Sequence, residues 1–110
     1  MNVSELEGAE LDAAVATAEG EAIDRISDDT VFVRIADTGG IAGYAPSRDW
    51  LRAGPIIERE RIELQNHAAS DGWWAGIRQH AGVNKAGGTI ATGPTPLIAA
   101  MRAYVASKVS

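Results

Sequence analysis

The sequence predicts an α+β domain in which an N-terminal and a C-terminal helix pack on a small antiparallel sheet of three or four strands. Three observations predict it. Apolar residues recur at helical spacing at both ends of the chain. Short β-branched runs, parted by turn residues, fill the middle. No linker or internal repeat divides the 110 residues, so 1–110 reads as one domain.

In "EGAELDAAVATAEG", Leu11, Ala14, Val15 and Ala18 mark one face of a helix from Gly8 to Glu19, with Glu10 near its positive end and Gly20 at its stop. "SDDT" at 27–30 is a turn, "VFVRI" at 31–35 a strand, and "DTGG" at 37–40 turns the chain into a short strand at Ile41–Tyr44, completing a hairpin. Next comes "YAPSRDWLRAGP" at 44–55, which fits no period and reads as a loop. Pro55 suits a first helical position, so a short turn is expected at "PII". From Arg61 on, Ile62 and Leu64 alternate with Arg61 and Glu63 as in a half-buried strand.

"HAASDG" is a loop and "WWAGIRQ" a strand, whose paired Trp73 and Trp74 must point to opposite faces. The Gly-rich "HAGVNKAGGTIATG" holds a short strand at Thr89–Ala91. The clearest element is a helix near 96–108. Thr95 is its N-cap, Pro96 its first residue, and Leu97, Met101, Tyr104 and Val105 its buried face.

Composition narrows the function. No cysteine is present, so disulfides, thiolate metal sites and cysteine nucleophiles are excluded. A net charge of −5 opposes binding to duplex nucleic acid, which needs phosphate neutralisation, but leaves room for one small anion at a local basic patch. The start "MNVSELEGAE" has no basic region followed by an apolar one, and no run reaches membrane-spanning length, so no membrane partner is expected.

Catalytic patterns are absent as well. His67 and His80 stand in loop-like contexts without a carboxylate motif. Glu58, Glu60 and Glu63 are interleaved with Arg59 and Arg61, as on a solvated, ion-paired face. Neither a cofactor nor a metal is called for, and the chain reads as a non-enzyme.

"YAPSRDW", "GPIIERERI", a tryptophan-bearing strand and "GPTPLIAAMRAYVASK", in that order, resemble the NinX family of bacteriophage proteins. The opening "SELEGAELDAAVATAEG" is similar to the family's N-terminal helix, so the likeness covers nearly the whole chain; Arg78–Thr92 departs from the pattern. The resemblance implies a phage gene expressed in the host bacterial cytoplasm. It brings no mechanism with it.

The loop at 44–55 carries the candidate site. Tyr44 and Trp50 offer flat faces for stacking, and Arg48 and Arg52 offer forked donors for phosphate or carboxylate. Ser47 and Asp49 can bond sugar hydroxyls, and two prolines stiffen the loop. Thr95, at a helix start where unpaired N–H groups attract anions, is expected to join them, with Arg59 or Arg61 nearby. The alternative is structural: Trp50 plugs the core while Ser47 or Asp49 caps a short helix.

The functional expectation is a small nucleotide-like ligand, sequestered without chemistry, of the cyclic oligonucleotide or cyclic ADP-ribose type used in antiviral defence. Its rival is a protein–protein inhibitor or adaptor acting on a host enzyme, for which the same Trp, Tyr and Arg would form an interface hot spot. A homo-oligomer, dimer or higher, is expected too, because a chain this small has a limited core.

Overall fold

The computed structural model describes residues 2–67, 72–78 and 88–109. A 3-10 turn at Val3–Glu5 leads into α1 (Gly8–Glu19), followed by β1 (Ala22–Ser27), β2 (Thr30–Arg34) and β3 (Ile41–Tyr44). Helix α2 (Trp50–Glu60) separates these from β4 (Glu63–His67), β5 (Gly72–Arg78) and β6 (Gly88–Gly93). Helix α3 (Pro96–Val109) closes the chain. Most of the "HAASDG" loop, His80 and the start of the Gly-rich stretch lie outside the described residues.

The class is the α+β one that the sequence predicts, and its strands divide into two antiparallel sheets, β1-β2-β3 and β4-β5-β6. Each terminal helix covers its own sheet. Helix α1 packs on β1 and β2, α3 packs on β4, β5 and β6, and the two helices meet between the sheets. The single sheet expected beneath both helices is thus two sheets, one under each terminal helix. Strand β1 is the one with no sequence signal: five of its six residues are exposed, and a bulge between Ile23 and Arg25 breaks the alternation.

Both terminal helices start and stop where their residues dictate. Gly20 ends α1 in the left-handed region at φ 77°, donating its N–H to the Ala16 and Thr17 carbonyls. Thr95 Oγ1 accepts the Ile98 N–H at 3.1 Å and its carbonyl accepts the Ala99 N–H. Leu97, Met101, Tyr104 and Val105 are buried as expected, and so are Ala99, Ala100 and Ala103. That alanine face lets α3 lie close on its sheet, where a Cβ at Gly93 would stand 2.9 Å from the Ala99 nitrogen.

One long element lies where the sequence predicts a loop and a short turn. Residues 50–60 form α2, with Asp49 as N-cap accepting the Leu51 N–H at 3.0 Å, and with Pro55 inside the helix rather than at its start. Gly54-Pro55 looks like a breaker because proline cannot donate to the carbonyl four residues earlier. Here Ala53, Ile56 and Ile57 bury one side and carry the helix past the missing bond. The helix ends at Arg61, which takes the left-handed conformation at φ 55°. The following strand starts at Glu63, two residues later than the alternation suggests.

Candidate functional site

Two tight turns build the site. Between β1 and β2, Asp28 and Asp29 both adopt positive φ, 51° and 58°, as a two-residue hairpin turn of matching twist requires. The turn aims Asp29 at the start of α1, where its Oδ1 accepts the Ala9 N–H at 3.0 Å. Glu7, at the N-cap position, makes no side-chain cap bond, so Asp29 caps α1 from outside. Between β3 and α2, the Arg48 N–H donates to the Ala45 carbonyl at 3.0 Å, and the Ser47 N–H donates to Asp12 Oδ1 at 2.8 Å.

Arg48 joins the two turns. Its Nη2 donates to the Asp29 carbonyl at 2.9 Å and to Thr30 Oγ1 at 3.4 Å, while Nη1 stands 3.7 Å from the Asp29 carboxylate. Beside this junction opens a cleft of about 700 Å³, lined by Glu7, Gly8, Glu10 and Asp29, by Ser47, Arg48 and Trp50, and by Thr95–Ile98. Apart from Asp29, these residues lie at or just before the first turns of α1, α2 and α3. The starts of all three helices therefore face one cleft, and each start carries partial positive charge and unpaired N–H groups.

Four of the nine residues singled out from the sequence meet there: Ser47, Arg48, Trp50 and Thr95. The Trp50 side of the structural alternative fails, because its residue is 55% exposed rather than a core plug. Asp49 caps α2 as that alternative has it, beside the cleft but not on its wall.

The other four stand elsewhere. Tyr44 is only 3% exposed, since it pairs across the strands with buried Val31 on the core face. Its ring carries Arg52, whose Cζ lies 5.4 Å from the centroid, so it offers no open stacking surface. Arg52 also donates to the Gly43 carbonyl at 3.4 Å. Arg59 sits near the far end of α2, bonded to Glu19 and Glu60. Arg61 follows that helix, about 16 Å along its axis from Trp50.

Sequence reasoning missed the acidic part of the wall. Glu7 and Glu10 look like solvated helix-start residues, and Asp29 looks like an ordinary turn residue. It missed Asp12 too, a fully buried carboxyl beneath Ser47. A signal for Asp12 existed, because Ala9, Asp12 and Ala16 share one helical face and all three are buried. Burial pushes the Asp12 carboxyl above its ordinary range, against the pull of the Ser47 hydrogen bond and of Arg48. Burial likewise pushes the Tyr44 hydroxyl up to about 12.

A larger groove of about 870 Å³ runs along the outer face of α1, past Ala13, Ala14, Ala18 and Ile26. It holds none of the predicted site residues. Among the described residues no cluster of three or more His, Asp or Glu side chains could hold a metal ion. No helix among them is long and apolar enough to cross a membrane.

A family model described as "Bacteriophage P22, NinX" matches residues 2–108. The match takes in every stretch on which the resemblance rests, and also Arg78–Thr92. No curated protein matches the chain.

Proposed function

We propose, from the premise that this chain belongs to the NinX family of bacteriophage proteins, that it binds a small nucleotide-derived ligand in the three-helix cleft and withholds it from the host. The ligand class is a host immune signal of the cyclic oligonucleotide or cyclic ADP-ribose type, bound without chemistry in the bacterial cytoplasm. One observation carries the reading: three helix starts, Arg48 and the exposed indole of Trp50 share one cleft.

Each part has a matching job. A base stacked on Trp50 gains about 1–3 kcal/mol. A phosphate at the helix starts meets N–H donors and partial positive charge, and Arg48 adds a charge-assisted bond. Glu7 and Glu10 suit ribose hydroxyls and exocyclic amines, which need acceptors. Their charge also limits how many phosphates the cleft will hold, which favours a ligand with few of them.

A second reading has its own observation. Trp50 and Leu51 stand side by side at the start of α2, 55% and 80% exposed, next to an acidic wall. That combination suits a protein partner with a basic, apolar surface, as an inhibitor or adaptor of a host enzyme would meet.

Thermal unfolding with a panel of nucleotide second messengers separates the two. Ligand at a hundredfold excess over Kd stabilises by about 2.7 kcal/mol, a shift of many degrees for a domain this size. Intact ligand should be recovered on denaturing the complex, and Arg48→Ala and Trp50→Ala should each abolish the shift. Chemically altered ligand would make the protein an enzyme. No shift with any nucleotide would favour the protein partner.

A further inference from the structure

Asp12 is fully buried, and its Oδ2 has no hydrogen-bond partner among the described residues. A buried acid with one satisfied oxygen destabilises a core, and an apolar residue of similar volume would pack there without that cost. Stability therefore does not account for it. What the carboxyl does is reach across 35 positions, through Oδ1, to the Ser47 N–H. That amide belongs to the turn that carries Arg48 and leads through the Asp49 cap into Trp50.

We infer that Asp12 is a positioning residue for the cleft: through the Ser47 amide it sets the Ala45–Arg48 turn, and with it the stance of Arg48 and Trp50. Its use in ligand capture rests on the function proposed above; its geometry does not.

The charges around Asp12 make the linkage titratable. Arg48 faces it from the turn and Asp29 from the β1–β2 hairpin. Tyr44 faces it from β3 and stays neutral across the physiological range. From α3, Arg102 is held by the Leu6 and Thr92 carbonyls, and Lys108 lies 3.7 Å from Glu60. On α1 itself, Glu10 points to solvent. Ionising Asp12 thus creates a buried charge whose nearby cation is Arg48, now shared with Asp29 and Thr30. Protonation leaves Oδ1 free to hold Ser47 and removes the buried charge near Arg48.

The test follows the Ser47 amide, the Arg48 Nε–H and the Trp50 indole N–H of the labelled full chain by NMR from acid to neutral pH. All three should move with one midpoint, above the ordinary 3.8 of aspartate. Asp12→Asn keeps an acceptor but cannot ionise, so it should abolish the shared titration and leave the Ser47 amide protected. Asp12→Leu should speed Ser47 exchange by about tenfold, the factor for one ordinary hydrogen bond, and shift the Trp50 indole while Tyr104 stays put.

A titration that persists in Asp12→Asn would overturn the inference, as would a folded Asp12→Leu with Ser47 and Trp50 unmoved. If Asp12→Leu does not fold, the comparison of wild type with Asp12→Asn decides alone. None of these signals involves a ligand. Failure to bind any nucleotide would therefore sink the proposed function and leave this result standing.

Discussion

Tyr104 donates its hydroxyl hydrogen to Glu19, 85 positions earlier, and so ties α3 to the last residue of α1. Arg59 adds α2 to the joint, with two bonds to the same carboxylate at 3.1 and 2.6 Å and its Cζ 5.8 Å from the Tyr104 ring centroid. All three helices meet at one carboxylate. Burial alone would push the Glu19 carboxyl up, but the bonds from Arg59 and Tyr104 outweigh it and hold it below its ordinary 4.5. An acid with a lower pKa in the folded state stabilises the fold above its unfolded value, and that contribution drains away as pH falls through the folded one. Acidification below pH 4.5 should therefore lower the melting temperature of the wild type more steeply than that of Glu19→Gln. At neutral pH, calorimetry should show Tyr104→Phe losing about 1–2 kcal/mol. Arg59→Ala should lose less than about 1, because that side chain is half exposed and screened.

Gly8 and Gly20 make a matched pair at the two ends of α1. Both have positive φ, 57° and 77°, so an alanine at either takes on left-handed strain of about 1–2 kcal/mol. Only Gly8 is crowded: its Cβ would stand 3.0 Å from both carboxylate oxygens of Asp29, whereas nothing lies within 4 Å at Gly20. Gly8→Ala should therefore destabilise more than Gly20→Ala, by up to about 1 kcal/mol for the displaced cap. Denaturant melts of the two variants give the difference directly. Equal losses would mean that Asp29 moves aside freely.

The terminal helices were legible because their signals are local. A cap, a glycine stop and an apolar stripe lie within each segment, and no distant residue has to be known. Helix α2 was illegible for the opposite reason: Gly54-Pro55 argues locally against a helix, and only the burial of Ala53 and Ile56 by distant residues overrides it. The candidate site was half legible. Arg48, Trp50 and Thr95 announce themselves by type and context. The acids that share the cleft with them look like ordinary surface charge until the β1–β2 turn brings Asp29 to α1. Tyr44 misled, because an aromatic at the end of a four-residue strand gives no sign of which face it takes.

Asp12 should shift stability with pH in the sense opposite to Glu19. Its carboxyl is raised by burial, so the stability it contributes is fully present below 3.8 and lost as pH rises through the folded value. Asp12→Asn removes that loss while keeping an acceptor for Ser47. The variant should gain on the wild type as pH climbs from acid toward neutral, read as a growing difference in melting temperature. A constant difference at every pH would mean that Asp12 does not titrate in the folded protein.

Trp50 and Tyr44 should respond differently to truncation, because one is half exposed and the other buried. Trp50→Ala removes a half-exposed indole and should change stability by no more than about 0.5 kcal/mol, the ordinary range for a surface site. Tyr44→Ala empties a core position and should cost about 3–5 kcal/mol, as large aromatic truncations do. Urea melts followed by circular dichroism measure both. A Trp50→Ala variant as unstable as Tyr44→Ala would show that the indole supports the fold rather than a ligand.

The paired tryptophans suggest where a second copy would dock. Ala75 is buried, and Trp73 and Ile77 pack against the core on its side, so alternation turns Trp74 and Gly76 to the opposite face of the second sheet. Trp74 lies across Gly76, where a Cβ would stand only 2.6 Å from its Cη2. The cross-strand partner of Gly76 is Ile90, which is 60% exposed. An indole lying flat beside an exposed isoleucine, on a face that no helix covers among the described residues, suits contact with a second copy. A two-fold axis would set each Trp74 against its counterpart and bury part of the roughly 800 Å² per partner that a stable dimer needs. Light scattering at micromolar concentration should give a mass above the 11.5 kDa of one chain. Ile90→Glu should return it to that mass without unfolding, because a charge on this face is solvated in the monomer and desolvated only in the pair. A wild type that scatters as a single chain would remove the dimer, and a mass unaffected by Ile90→Glu would move the interface elsewhere.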